Sequence, residues 1–220
     1  MSATGLKFAG VVFLGPPASG KGTQGRRLAD VLKLRYFSTG KELRREVERG
    51  TEFGVRAEHY LSQDLYVPDE MALELAMQWF EQSGPGWVMD GFPRTRPQAL
   101  QLDDALGETA HRLQAVFLDV PVDELMTRAA GRWECGQCPW GGPRTESGLC
   151  PACGGTLLKR RDDEPASVRK RHAVYEDLTL PVVEYYAESS RLIHVSGVGS
   201  AEDVFKRVLS GLEYDDENDG

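Results

Sequence analysis

The segment GPPASGKGT, which begins at Gly15, constrains this chain more than any other part of it. It fits the pattern G-x-x-x-x-G-K followed by Gly and Thr. A short apolar segment at 9–14 predicts a strand before it, and residues 21–33 predict a helix after it. In that context the loop N–H groups and the helix N-terminus bind a di- or triphosphate, and Lys21 reaches the β- and γ-phosphates. Ala18 stands where a further Gly would make the loop more pliable.

The order of elements predicts an α/β fold. Apolar segments predict strands at 9–14, 35–37, 87–89, 115–120 and 192–195. Helices are predicted at 21–33, 41–50, 69–82, 97–106, 122–132, 164–189 and 201–212, with Asp69 as an N-cap, Pro97 in a first turn and a kink at Pro181. This alternation indicates a parallel sheet covered on both faces, with ligands at the carboxyl ends of its strands. The glycine loop and the segment DGFPRT at 90–95 both fall at that edge.

Two segments interrupt the alternation. Residues 38–67 are mostly helical and polar, and residues 133–162 are rich in Gly, Pro and Cys. We interpret both as inserts over the binding edge. They leave a core domain made of residues 1–37, 68–132 and 163–220.

All four cysteines lie in the second insert, as two C-x-x-C pairs. The pairs are Cys135 with Cys138 and Cys150 with Cys153. Such pairs indicate a tetrahedral metal site, usually zinc, although iron also fits four thiolates. Two disulfides or a redox pair are the alternatives, and disulfides are disfavoured in a chain without an export signal. Because four thiolates close the coordination sphere, we expect a structural metal that does not activate water.

Length and charge limit the class of protein. The 220 residues, with a net charge of −8, fit one α/β domain with small inserts. The acidic balance argues against a nucleic-acid-binding zinc ribbon, which the cysteines alone would also fit. No apolar run approaches the roughly 20 residues that span a bilayer, and the N-terminus lacks a signal-peptide layout. We therefore expect a cytoplasmic protein without nucleic-acid or membrane partners.

Arginines flank both inserts, where closing lids can bring charge to a phosphate chain. They are Arg44, Arg94, Arg128, Arg132, Arg160, Arg161 and Arg171. Arg128 and Arg132 are four residues apart on a predicted helix and so are expected on one face. Phosphoryl transfer to another phosphate needs positioning and charge neutralisation but no general base. Asp90 ends a predicted strand near the glycine loop, where a carboxylate can hold magnesium through water.

The motifs resemble, in order, those of the adenylate kinases with a zinc-bearing lid, within the nucleoside monophosphate kinases. The resemblance covers about residues 8–212. The segments that carry it are GPPASGKGT at 15–23, STGKELR at 38–44, DGFPRTRPQA at 90–99, RAAGR at 128–132, KRRDD at 159–163 and VRKRHAVY at 168–175.

The resemblance implies the magnesium-dependent reaction ATP + AMP = 2 ADP in a monomeric enzyme. It implies a P-loop three-layer fold with a central parallel five-stranded sheet, a helical insert that binds the nucleoside monophosphate, and a zinc-stapled lid. ATP would be bound by Gly15, Ala18, Ser19, Gly20, Lys21, Gly22, Thr23, Arg128, Arg132 and Gly199. AMP would be bound by Thr39, Arg44, Leu65, Val67, Gly91, Arg94, Gln98, Arg160 and Arg171, with the Gln98 amide reading adenine. Catalysis would rest on Lys21, Arg94, Arg132, Arg160 and Arg171, with Asp162 and Asp163 holding the closed lid.

Four positions depart from the family pattern. Lys41 stands where an acid is usual, and Ala18 replaces a loop Gly. Gly199 stands where a Lys often contacts the ATP base through its backbone, and Trp133 replaces the usual basic residue after Arg132. The lid hairpin between Cys138 and Cys150 is also shortened. Two related alternatives stay open: a kinase of UMP or CMP, and a catalytically weakened nucleotide-binding homologue.

Overall fold

The central layer is a parallel sheet, as the alternation of elements predicts. The computed structural model describes residues 8–82, 86–138, 140–159 and 163–213. Within them the sheet has five strands: β1 Gly10–Leu14, β2 Arg35–Ser38, β3 Trp87–Asp90, β4 Leu113–Asp119 and β8 Leu192–Ser196. Their order is β2-β3-β1-β4-β8, and every neighbouring pair is parallel. Strand β1 is therefore central, and the glycine loop leaves from its carboxyl end.

Helices cover both faces of the sheet. They are α1 Lys21–Leu32, α2 Thr39–Glu48, α3 Glu52–Leu61, α4 Asp69–Glu81, α5 Arg96–Leu106, α6 Val122–Gly131, α7 Pro165–Leu178, α8 Leu180–Glu188 and α9 Ala201–Gly211, with a 3-10 turn at Gly107–Arg112. Side chains of β1 alternate between two buried clusters: Val12 packs with residues of α4, α5 and α8, and Val11 packs with residues of α1 and α9. The expected fold, a five-stranded parallel sheet between two helical layers, is confirmed.

The long helix predicted at 164–189 is two helices. The break lies at Thr179, between α7 and α8, and Pro181 occupies the first turn of α8. Proline has no N–H to donate, so a first turn accommodates it without the loss of a hydrogen bond. The sequence indicated an interruption here and placed it two residues late.

A second, small sheet follows α6. Strands β5 Arg132–Cys135, β6 Gly141–Pro143 and β7 Leu157–Leu158 are antiparallel in the order β6-β5-β7. The prediction that Arg128 and Arg132 share a helix face is wrong, because α6 ends at Gly131 and Arg132 is the first residue of β5. The chain turns there from helical to extended backbone, with a φ of −82° and a ψ of 135° at Arg132.

A hydrogen-bonded ion pair ties α5 to the chain between α8 and β8. Arg191 Nη1 donates to Asp103 Oδ1 at 2.8 Å, and Nη2 donates to Oδ2 at 2.6 Å. Tyr185 also donates its hydroxyl to Asp103 Oδ2, at 2.5 Å. The side chains of Arg191 and Asp103 are 10% and 14% exposed, so each charge depends on the other.

We predict that Arg191→Met lowers the free energy of unfolding by about 3 kcal/mol, because it leaves the Asp103 carboxylate buried without its partner. Urea denaturation measures the change. The matched control is Arg96→Met, which removes an exposed arginine whose contact with Glu188 spans 3.7 Å. We expect this control to change stability by less than about 0.5 kcal/mol. Equal losses in the two variants would contradict the prediction.

Among the residues that the structure describes, no helix combines the length and apolar character that crossing a lipid bilayer requires.

Candidate active site

One large cavity, of about 820 Å³, lies at the carboxyl ends of β1 and β3. Its wall is formed by the glycine loop, α2, the end of α6, strands β5 and β6 of the second sheet, and the loop between β8 and α9. The predicted site residues that line it are Ala18, Ser19, Gly20, Lys21, Gly22, Thr23, Arg44, Leu65, Asp90, Arg94, Arg128, Arg132, Arg171 and Gly199. Segments far apart in sequence thus converge on one space.

Other predicted residues lie behind this wall. Gly15 and Gly91 line a smaller cavity of about 40 Å³ that shares Lys21 and Arg94 with the large one. Thr39, Val67 and Gln98 are buried and line neither cavity. Arg160, Arg161 and Asp162 lie outside the described residues.

The glycine loop folds around the Lys21 ammonium group. Lys21 Nζ donates to the carbonyl of Gly15 at 2.7 Å and to that of Pro16 at 2.8 Å. Burial lowers the pKa of Lys21 to about 7; Asp90 opposes this shift, while Arg94 and other nearby arginines add to it. A bound phosphate would favour the charged ammonium, so anion binding and protonation of Lys21 would support each other.

Ala18 has a left-handed backbone conformation, with a φ of +66°. For a residue with a Cβ this conformation costs roughly 1 kcal/mol, whereas glycine adopts it freely. The departure seen in the sequence is therefore local strain at the outer turn of the phosphate loop. The N-cap of α1 has a φ of +99°, and here the sequence does have a glycine, Gly20, which adopts this backbone conformation without strain.

Asp90 is held in place by two residues of β2. Tyr36 donates its hydroxyl to Asp90 Oδ2 at 3.0 Å, and Ser38 donates to the same atom at 3.4 Å. Burial, together with the Asp90 charge, raises the pKa of Tyr36, which keeps its hydroxyl a donor. Asp90 is therefore a fixed carboxylate on the cavity wall, the kind of ligand that magnesium favours.

Arg94 is positioned from several sides. Its Nε donates to the Gly91 carbonyl at 2.9 Å, and its guanidinium lies over the Tyr66 ring, 4.4 Å from the centroid. The Thr179 hydroxyl donates to the Arg94 carbonyl at 3.0 Å. These contacts fix the orientation of a cation that faces the cavity.

Two further arginines meet the cavity from α6 and β5. Arg128 Nη2 donates to the Gly197 carbonyl at 2.9 Å, so its guanidinium lies against the loop between β8 and α9. Arg132 forms a bidentate pair with Asp163, in which Nε donates to Oδ2 at 2.8 Å and Nη2 donates to Oδ1. The Asp163 side chain is fully buried. This pair joins the two ends of the predicted lid.

The four cysteine sulfur atoms lie within 4.8 Å of one another. The Sγ atoms of Cys135 and Cys153 are 3.5 Å apart, as are those of Cys138 and Cys150. In a tetrahedral zinc–thiolate site, Zn–S bonds of about 2.3 Å place sulfurs nearly 4 Å apart. The Gln137 N–H also donates to Cys135 Sγ at 3.3 Å. The donor set therefore fits a tetrahedral, thiolate-bound metal such as zinc.

A sequence model of the adenylate kinase family matches residues 13–191. The chain belongs to the adenylate kinase family. A relative from Lachnoclostridium phytofermentans named "Adenylate kinase" is 39% identical over 212 residues, which cover 92% of this chain and 97% of the relative. A second adenylate kinase, from Thermodesulfovibrio yellowstonii, is 39% identical over 211 residues, covering 92% and 98%. A third, from Streptomyces coelicolor, is 37% identical over 215 residues, covering 93% and 99%.

Lys41, where the adenylate kinase pattern has an acid, lies on the cavity wall in the first turn of α2. Burial lowers its pKa to about 8, and Arg26 and Arg44 act in the same direction, while Glu134 and Asp90 oppose the shift. The side chain therefore brings positive charge to a region that already has several arginines.

Gly199, the other departure in the wall, has a φ of +107°. A lysine with this backbone would be strained, so the glycine suits the loop conformation that this adenylate kinase has there.

Several residues that position the side chains of this site were not found from the sequence. Tyr36 and Ser38 hold Asp90, while Tyr66 and Thr179 hold Arg94. The signal for the β2 pair was present, because both residues lie near the carboxyl end of a strand that neighbours the strand of Asp90. Nothing in the sequence pointed to Thr179, which is 85 residues from Arg94.

Proposed function

We propose that the large cavity is where this adenylate kinase transfers a phosphoryl group between ATP and AMP, giving two ADP in a reversible, magnesium-dependent reaction. One observation carries the proposal. The glycine loop and the cations Lys21, Arg44, Arg94, Arg132 and Arg171 all line one cavity. Two phosphate chains that meet end to end need such a concentration of positive charge.

On the ATP side, we propose that Lys21 and the loop N–H groups bind the β- and γ-phosphates. Residues Gly15 to Thr23 form the cradle, and Ala18 sets its outer turn. Arg128 lies against the ATP adenine, next to the backbone of Gly199. When ATP is bound, Arg132 leaves Asp163 and pairs with the phosphoryl group that is transferred.

On the AMP side, Arg44, Arg94 and Arg171 neutralise the acceptor phosphate, and Leu65 faces the base. Three of the proposed AMP residues act from behind the wall. Thr39 donates its hydroxyl to the Gly91 carbonyl at 2.9 Å, and so holds the loop that also holds Arg94. Val67 supports the base pocket, and Gln98 would read the adenine edge once the AMP-binding insert closes over the base. Arg160 completes the catalytic set in our proposal.

No general base is required, because the acceptor oxygen of AMP is already anionic. Asp90 would hold magnesium through water, and the ion would supply charge neutralisation between the phosphates. Zinc would be bound by Cys135, Cys138, Cys150 and Cys153. It would fix the fold of the lid and leave no ligand position for chemistry.

We also propose a division into three parts. Residues 38–67 form the AMP-binding insert, residues 133–162 form the lid, and the rest of the chain forms the core. Closure of the two inserts would exclude water and so suppress ATP hydrolysis.

The test is ADP formation from magnesium–ATP with AMP, UMP, CMP or GMP at equal concentrations, with products separated by chromatography. We expect kcat/KM for AMP to exceed that for the others by at least about 100-fold. A preference for UMP or CMP would replace the adenylate assignment with a pyrimidine one. Intact ATP binding with almost no ADP formed would instead indicate a weakened homologue.

A further inference from the structure

Asp69, the first residue of α4, joins two side chains of the loop and helix that follow β3. The sequence-based prediction that Asp69 is the N-cap of α4 is wrong, because Pro68 is the N-cap and the Asp69 carboxylate forms hydrogen bonds outside the helix. Oδ1 accepts a hydrogen bond from Gln98 Nε2 at 2.8 Å, and Oδ2 accepts one from the Thr95 hydroxyl at 2.8 Å. Asp69 follows directly after Val67 and Pro68, where the proposed AMP-binding insert returns to the core.

The amide of Gln98 is held at both ends. Its Oε1 accepts the backbone N–H of Arg94 at 2.7 Å, while its Nε2 donates to Asp69. A carboxylate can only accept and a backbone N–H can only donate, so the two partners assign oxygen and nitrogen without ambiguity. Gln98 is 2% exposed. In a flipped amide, the nitrogen would face the Arg94 N–H and the oxygen would face the Asp69 carboxylate, and both pairs would be buried without a hydrogen bond.

Each end of this amide retains one further hydrogen-bonding position. The oxygen has a second lone pair, and the nitrogen has a second hydrogen. Adenine offers a 6-amino donor beside a ring-nitrogen acceptor, which is the complement of an amide in one orientation. Hypoxanthine, the base of IMP, offers an oxygen acceptor and an N–H donor at the same positions, which is the complement of the flipped amide. The orientation of Gln98 therefore decides which base it can read.

We propose that Asp69 is a positioning residue that sets the base preference of the acceptor site by fixing the orientation of the Gln98 amide. The inference rests on the proposed function, in which Gln98 reads the base of AMP. Arg94, whose guanidinium is proposed to bind the acceptor phosphate, donates its backbone N–H to the same amide. Base reading and phosphate binding are thus joined through one buried side chain.

The experiment compares kcat/KM for AMP and for IMP, with magnesium–ATP as donor, in the wild type and in Asp69→Asn. The variant keeps the shape of the side chain but can present a donor to Gln98 as readily as an acceptor. We expect the AMP:IMP preference to fall about 10-fold, mainly through a higher KM for AMP, because one bidentate base contact is worth roughly 5- to 150-fold in discrimination. KM for ATP should change less than about 2-fold, because the donor nucleotide does not contact this network.

The matched control is Glu70→Gln, which removes the same charge from the same helical turn. Glu70 is exposed and is not in the Gln98 network, so its variant should retain the wild-type preference. Asp69→Glu, which keeps a carboxylate acceptor, should recover most of the preference that Asp69→Asn loses. Thermal unfolding of each variant accompanies the kinetics.

Three results separate the possibilities. A wild type without preference for AMP over IMP overturns the proposed function itself. A wild type that prefers AMP, together with an Asp69→Asn variant that keeps the preference, overturns the inference and leaves the proposed function intact. Equal losses with AMP and IMP, with or without a lower Tm, also overturn it, because they show a purely structural role for Asp69.

Discussion

Lys21→Met is expected to lower kcat by at least about 1,000-fold with almost no change in fold. Lys21 Nζ is in contact with the carbonyls of Gly15 and Pro16 at the point where the loop would hold the β- and γ-phosphates. Removal of one preorganised charge from a phosphoryl-transfer site typically costs about 100- to 100,000-fold in rate. Steady-state ADP formation measures the loss.

Methionine has nearly the length of lysine, and burial already disfavours the ammonium in the free protein. We therefore expect the free energy of unfolding to change by no more than about 1 kcal/mol. Lys33→Met is the matched control, because it makes the same exchange at the exposed end of α1. This control should retain wild-type turnover. A Lys21→Met variant with more than about a tenth of the wild-type kcat would contradict the role given to this residue.

Loss of the zinc that we propose at the four cysteines is expected to destabilise the protein more than it alters the chemistry. We predict one zinc ion per chain in protein purified under reducing conditions, and none in Cys150→Ser, because a structural site requires all four thiolates. Without zinc, strands β5, β6 and β7 would lose the metal–thiolate bonds that link the segments of the second sheet. We expect the free energy of unfolding to fall by about 3 kcal/mol, or Tm by roughly 10 °C for a chain of this size.

Elemental analysis gives the stoichiometry, and thermal unfolding gives the stability. Gln137→Ser is the control, because it lies between two of the cysteines and keeps the backbone N–H that donates to Cys135. It should retain zinc and the wild-type Tm. At temperatures well below Tm, kcat of Cys150→Ser should fall less than about 10-fold. Absence of metal from the wild type would refute the structural role given to the cysteines.

The sequence predicted the layers of the fold because they depend on local patterns. Strand β1 is an uninterrupted apolar segment that leads into the glycine loop. The parallel direction of the neighbouring strands follows from the alternation of strands with helices. The boundaries were less certain where competing signals meet. Arg132 follows a helical pattern in sequence, yet the pairing of β5 with β6 and β7 draws it into a strand.

Sequence motifs predicted which residues belong to the candidate site, but they did not predict the burial or the hydrogen-bond partners of those residues. The sequence gives no sign that Gln98 is buried between Asp69 and the Arg94 backbone, because those contacts join segments that meet only in the folded chain. In the same way, the contact of Arg94 with Tyr66 joins the loop before α4 to the loop after β3. Motifs specify which groups are present, whereas tertiary packing sets their orientation and charge.

If residues 133–162 form a lid as we propose, the pairing of Arg132 with Asp163 would help it to reject small anions. In the free protein the guanidinium already has both of its forked hydrogen bonds satisfied by a buried carboxylate. An incoming phosphate must therefore displace a resident partner, and it gains little from the charge itself. At Arg132, inorganic phosphate or sulfate would gain only the contact that replaces Asp163. ATP would be bound by the glycine loop and by Arg128 at the same time. We therefore expect this ion pair to favour ligands that are long enough to make several contacts at once over small anions that make only one.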